Sequence, residues 1–489
     1  MKEKHTHYMK YLGIRIFILN ICICFLLPAK AEVRLPHIFS SNMVLQQGRE
    51  NPIWGWADKG ERITLEIDGK TIKTKTGQDG KWKALLPVMN YGNPHTLIIK
   101  GKNTLQLDNV LIGEVWVCSG QSNMGMTVQS SKDAEKEIAS ANYPQIRLFS
   151  VPKALAQSPR EDIEKGSWVE CSPENIPGFS AAGYFFGRYI HQQLNVPVGI
   201  INSSVGGTKI QCWMSEDAAQ NDPDVIVPYK YMKELAPEKV EDKIRNELAS
   251  VLFNSMIYPI IPYGIKGVIW YQGESDRGRP EQYLRTFPGL INDWRKHWMQ
   301  GDFPFLFVSL ANYRNPVDEP GESDWAEIRE VQTKTLSLPN TGMALAIDIG
   351  EANDIHPKNK QEVGRRLGLN AMKIAYNKDI VCSSPIFSSM QVEGNHAIVR
   401  FYTDGSSLMV KDRYGYIKGF AIAGSDRKFY WAKAELLNDQ TVKVYSNKVN
   451  HPVAVRYGWA NNPSDLNLFN LEGLPANPFR TDDWPGITK

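Results

Sequence analysis

Between residues 109 and 378 the chain alternates short apolar β-type runs with stretches of helical periodicity, and this alternation limits its fold more tightly than anything else in it. The runs lie at 115–118, 198–201, 267–270, 305–309 and 343–347; the helical stretches lie at 181–193, 281–297, 325–336 and 362–375. Strands that are apolar at every position are buried on both faces, and parallel strands need helices to cross between them. The pattern therefore predicts an α/β domain over 109–378, with a mainly parallel sheet covered by helices on both faces. Ligands on such sheets bind beyond the carboxyl ends of the strands. The strongest polar signals of the region cluster at those ends.

The flanking segments have a different texture. Residues 32–108 alternate β-type runs (Met43-Val44-Leu45, Ile53-Trp54-Gly55-Trp56, Leu97-Ile98-Ile99) with the turn formers Asp68-Gly69, Asp79-Gly80 and Gly92-Asn93-Pro94. They read as a β-sandwich-like domain. Residues 379–489 return to β-type runs at 397–401, 421–423, 441–445 and 453–457, then close in a Pro- and Asn-rich tail, and read as a C-terminal β-rich domain. The two segments are open to forming one unit or two.

The first 31 residues read as a signal peptide. Lys2, Lys4, Lys10 and Arg15 precede or open the apolar run 14–27, and Ala29-Lys30-Ala31 is a small-x-small cleavage site. The run falls short of the roughly 20 residues of a spanning helix. Cleavage after Ala31 removes five Lys or Arg and one Glu, taking the net charge from +3 to −1. No basic tract then remains for nucleic acid or for a membrane surface, and the expected location is periplasmic or secreted, in a bacterium. Cys118, Cys171, Cys212 and Cys382 are widely spaced with no CxxC pair, which gives neither a zinc motif nor a disulfide framework. No metal or organic cofactor is implied.

Gly120-Gln121-Ser122-Asn123-Met124 directly follows the run Val115-Trp116-Val117-Cys118. A serine at a strand end is held out of the core, and a glycine before it admits a close backbone approach. Such a hydroxyl is a weak nucleophile without a base. Of the seven histidines after residue 31, His356 has the most suggestive setting: it follows the last run, with Asp354 two residues before it. Val205-Gly206-Gly207-Thr208 and Trp270-Tyr271-Gln272-Gly273-Glu274 follow two other runs and offer backbone and amide N–H groups to an oxyanion.

These blocks together resemble the sialate O-acetylesterases of the SGNH-hydrolase superfamily, and Asn42-Met43-Val44-Leu45-Gln46-Gln47 and Phe479-Arg480-Thr481-Asp482-Asp483-Trp484 extend the resemblance over nearly the whole chain after residue 31. The resemblance implies an SGNH/flavodoxin-like sheet. It makes Ser122 the nucleophile, His356 the base and acid, and Ser122 N–H, Gly207 (or Gly206) and the Gln272 side chain the oxyanion donors. Asp354 is the expected acid, although many relatives place Asp three residues before the histidine, where this chain has Asn353. Gln211 likewise stands where relatives tend to carry Glu. Gln121, Trp213 and Glu274 are the substrate-contact candidates.

The expected function is an exported serine esterase that removes acetyl groups from carbohydrates, most naturally O-acetylated sialic acids, through an acetyl-enzyme. Acetylated xylan or another polysaccharide is the variant substrate within that class. A carbohydrate-binding protein with an inactive esterase domain is the reading from another class. Glu274 also invites a glycosidase reading, but beside Ser122 and His356 it is better placed to fix loops.

Overall fold

In the computed structural model, which describes residues 32–240 and 247–488, the alternating region forms a central sheet. From one edge the strands run Thr341–Ala344, Phe305–Val308, Gly267–Tyr271, Thr104–Gly120, Val198–Ser204, Tyr143–Ser150 and Val169–Cys171. All pairings are parallel except that of the last strand. The first of the parallel strands in the chain, Thr104–Gly120, lies between the third and the fourth. The chain therefore changes direction along the sheet beside it, and a crevice opens at its carboxyl end.

Period-2 alternation divides the core. Val115, Val117, Val268, Trp270, Phe305 and Phe307 pack with helices Pro280–Trp298 and Asp324–Lys334 on one side. Trp116, Cys118, Ile200, Ile269, Leu306 and Val308 pack with helices Ala181–Leu194 and Lys360–Ile374 on the other. These last two helices approach closely because Gly364 and Gly368 lack side chains. A Cβ at Gly364 would sit 2.6 Å from that of Phe185, and one at Gly368 2.2 Å from the Tyr189 ring.

The strand Tyr143–Ser150 escapes a sequence reading because Pro144 and Arg147 interrupt its apolar run. Arg147 is buried all the same, with its guanidinium donating to the Pro144 carbonyl (2.7 Å) and to Asn42 Oδ1 (3.1 Å). The change of texture near residue 108 falls inside one continuous strand. Thr104–Gly120 alternates half-buried and exposed positions while it pairs with His95–Lys100, then is buried throughout once it enters the parallel sheet.

The C-terminal β segment forms two four-stranded antiparallel sheets and a two-stranded one. It is docked on helix Asp324–Lys334 by the buried Arg329, which donates to the carbonyls of Ala460 (2.7 Å) and Asn461 (3.0 Å) as well as to those of Leu310 and Ala311 (2.8 Å each). Arg480 pairs with Glu330 beside it (3.0 Å). Cys118, Cys171, Cys212 and Cys382 are buried and in no disulfide. Among the described residues no helix is long and apolar enough to cross a membrane. The expected export signal lies outside them.

Candidate active site

The serine is placed by a backbone lock. Gly120 has φ +132°, and a Cβ there would come within 2.2 Å of the Tyr271 carbonyl oxygen, so only glycine lets the two strand ends close together. That same carbonyl accepts the Gln121 N–H at 2.9 Å. Ser122 then starts a single helical turn, Ser122–Gly125, with no side-chain cap from Gln121. The first N–H groups of a helix have no partner within it, so they are open to an oxyanion.

The histidine arrives on the loop after the last strand of the sheet. Arg366 grips Asp348 with two bonds (2.6 and 2.8 Å), and the Gly350 N–H donates to Asn312 Oδ1 (2.7 Å). The loop brings His356 Nε2 to 2.9 Å from Ser122 Oγ. Asp354 Oδ1 lies 3.3 Å from His356 Nδ1 and also accepts the His356 backbone N–H at 2.9 Å. The His356 and Asp354 side chains are 37% and 39% exposed.

Behind the serine lies a buried polar chain. Lys360 Nζ donates to Asn123 Oδ1 (2.7 Å), and Asn123 Nδ2 donates to Glu274 Oε1 (2.6 Å) and to the Ile355 carbonyl (3.1 Å). The residue after Ser122 is thus tied to the residue before His356. Burial drives the Lys360 pKa down to about 7 and that of Glu274 up, each favouring its neutral form. Both groups and Asn123 are at most 6% exposed.

Several expected roles need correction. Gln272 is fully buried, and both its amide hydrogens are engaged, one by the Thr208 carbonyl (3.1 Å) and one by Asp276 Oδ2, while Tyr283 Oη donates to its Oε1 (3.0 Å). It braces the Gly206-Gly207-Thr208 loop and has no hydrogen left for an oxyanion. Trp213 is fully buried with its indole N–H on Thr208 Oγ1 (3.0 Å), so it offers a sugar no face. Gln121 and Glu274 are buried as well, joining loops behind the serine. Of the two candidate glycines, Gly206 is the one lining the cleft; a Cβ there would lie 3.3 Å from that of Ser122. Gly207 follows it with φ +72°.

Ser122 and His356 line a cleft of about 640 Å³ with Thr127, Ser130, Ser150, Asn202 and Ser204. Lys153 and Lys358 are its two lysines, and Asp354 is its one carboxylate. None of these polar lining residues except Ser122, His356 and Asp354 is singled out by the sequence, because hydroxyls and surface lysines carry no local signature. Lys360 does carry one: a lysine at the first position of a helix opposes the helix dipole. No group of three His, Cys, Asp or Glu able to hold a metal occurs among the described residues.

A family model described as "Carbohydrate esterase, sialic acid-specific acetylesterase" matches residues 112–373, which is more than half of the chain. The chain belongs to this family. It is a carboxylic ester hydrolase, and the family implies an O-acetylated carbohydrate substrate. The sialate O-acetylesterase of Pongo abelii is 31% identical over 93% of this chain and 94% of its own length; that of Mus musculus is 30% identical over 91% and 94%. A solved structure titled as a novel carbohydrate acetylesterase from Xanthomonas citri is 38% identical, with a TM-score of 0.85 over 93% of this chain and 100% of that one.

Proposed function

We propose that this esterase removes O-acetyl groups from sugars of the sialic acid class through an acetyl-Ser122 intermediate. The observation that carries the chemistry is the 2.9 Å approach of His356 Nε2 to Ser122 Oγ at the wall of an open cleft. His356 takes the Ser122 proton as Oγ attacks the acetyl carbonyl carbon. The oxyanion is received by backbone N–H groups at the start of Ser122–Gly125 and in the Gly206-Gly207 turn. His356 then protonates the departing sugar oxygen, and a water repeats the sequence to release acetate. Asp354 holds the imidazole from its Nδ1 side.

Two features favour an acidic sugar. The hydroxyls and the Asn202 amide suit a polyol, and Lys153 and Lys358 against the single carboxylate Asp354 suit a substrate that carries its own carboxylate. The names of the mammalian relatives point the same way, whereas that of the Xanthomonas protein is broader. The N-terminal sequence supports export to the periplasm or beyond.

The test compares acetate release from O-acetylated sialic acid and from acetylated xylan. The sialic ester is expected to be preferred, with Lys153→Ala and Lys358→Ala each raising its KM about 10-fold, the value of one charged contact. Neither variant should alter KM for acetylated xylan. Preference for xylan would replace the substrate class and leave the Ser122–His356 chemistry standing.

A further inference from the structure

A second cleft, of about 740 Å³, lies between the two-stranded antiparallel sheet formed by strands Asn51–Trp56 and Lys81–Leu86 and the last turn of helix Pro280–Trp298. That helix leaves the carboxyl end of one parallel strand and returns to the amino end of the next. The cleft therefore sits at the end of the sheet away from Ser122, and it shares no lining residue with the Ser122 cleft.

Alternation along this strand pair decides what it presents. Trp54 pairs across to Lys83 and Trp56 to Lys81, so two indoles and two ammonium groups share one sheet face. Trp82 also lines the cleft; it is 3% exposed, and its indole N–H has no hydrogen-bond partner among the described residues. Tyr258, Pro262 and Met299 contribute to the facing wall, with Tyr258 and Met299 exposed.

The charge is one-sided. Lys75, Lys81, Lys83 and Lys296 face a single carboxylate, Glu161. Glu161 is held by Lys81 and by the Trp56 indole N–H (3.1 Å), and Lys296 pairs loosely with Asp217 (3.3 Å) outside the cleft. Lys75 and Lys83 make no ion pair among the described residues.

We propose that this cleft is a second saccharide site, which stacks the apolar face of an acidic sugar ring on the Trp54–Trp56 pair and meets its carboxylate with Lys75 and Lys83. Indole faces suit the C–H face of a pyranose, and the lysine excess answers an anion that a neutral sugar lacks. The remote position means that the sugar held here is not the one being deacetylated. The ligand class rests on the acidic-sugar reading of the Ser122 cleft, but the test reads binding alone.

Full-length Ser122→Ala protein is titrated with 3′-sialyllactose and, separately, with lactose. The expected result is a sialyllactose-binding event that weakens at least 10-fold in Trp56→Ala and in the surface double variant Lys75→Ala/Lys83→Ala, with lactose binding far weaker. In the Ser122 background, the same double variant should release acetate from a chromogenic acetyl ester at the unaltered rate. Sialyllactose binding that neither variant changes would overturn the proposal, as would equal affinity for lactose. If the Ser122 cleft takes no sialoside, the titration shows one event instead of two, and the variants still decide whether it belongs to this cleft.

Discussion

The two sides of Ser122 are built from opposite materials. Behind it, Asn123, Glu274 and Lys360 are 1%, 6% and 0% exposed and hold one another at 2.6–2.7 Å. In front of it, His356 and Asp354 are more than one-third exposed and 3.3 Å apart. Charges and dipoles removed from water interact strongly and fix geometry, whereas an ion pair at the solvent edge is worth about 0–1 kcal/mol. The serine–histidine alignment is therefore set from the rear, through Asn123 and the Ile355 carbonyl, and the visible acid contributes less than its place in the sequence suggests.

Ser122→Ala removes the atom that both sides serve, and it should lower acetate release from a chromogenic ester by about 10⁵–10⁶-fold. Activity that survives would break the comparison at its root and revive the reading of a binding protein with an idle esterase domain. Asn123→Ala should follow, at about 10²-fold in kcat, because it frees the turn after Ser122 from the loop before His356, and small misplacements cost that much. It should also lower unfolding stability by about 2–4 kcal/mol, since it leaves Glu274 and Lys360 buried without their bridge. A variant of full activity would place the alignment elsewhere.

Lys360→Met sharpens the comparison through pH. The Lys360 pKa is about 7 in the folded chain against an ordinary 10.5, so between these values the unfolded chain binds a proton that the folded chain has released. This group therefore makes stability rise with pH across that window, and its contribution is flat below it. Denaturation midpoints of the parent from pH 7 to 10 should climb relative to those of Lys360→Met. Parallel curves would mean that the lysine keeps an ordinary pKa and that the rear of the site is wetter than its burial indicates.

The fold was legible in the sequence wherever burial was uniform. The runs at 115–118, 198–201 and 267–270 are strands because both sheet faces are covered, and the helical periods at 181–193 and 281–297 match Ala181–Leu194 and Pro280–Trp298 within a residue or two. Tyr143–Ser150 was not legible, because its buried Arg147 is satisfied by the Pro144 carbonyl within the strand and by Asn42, which lies far away in the chain. At the site, Ser122 and His356 announce themselves by following strand ends. The roles of Gln272 and Trp213 were misread for a physical reason: a loop leaving a strand turns back under the sheet edge as readily as outward, and local sequence does not encode the choice. Gln272 is held by Thr208 from another loop and by Tyr283 from helix Pro280–Trp298 as well as by the nearby Asp276, and Trp213 turns back onto Thr208 five residues before it.

The smallest effect expected is that of Asp354→Asn. A buried acid that orients a catalytic histidine is worth about 10⁴-fold in kcat, because its loss lets the wrong tautomer persist. Asp354 instead shares one oxygen between His356 Nδ1 at 3.3 Å and the His356 backbone N–H at 2.9 Å. Asparagine retains an oxygen for the backbone bond, and water can take over the Nδ1 side of so exposed a ring. The expected loss in kcat/KM on a chromogenic acetyl ester is therefore about 10-fold, with Asp354→Ala losing more because the loop bond goes too. A 10⁴-fold loss in Asp354→Asn would show that substrate closes the cleft and dries this side. The difference between front and rear would then belong to the free enzyme alone.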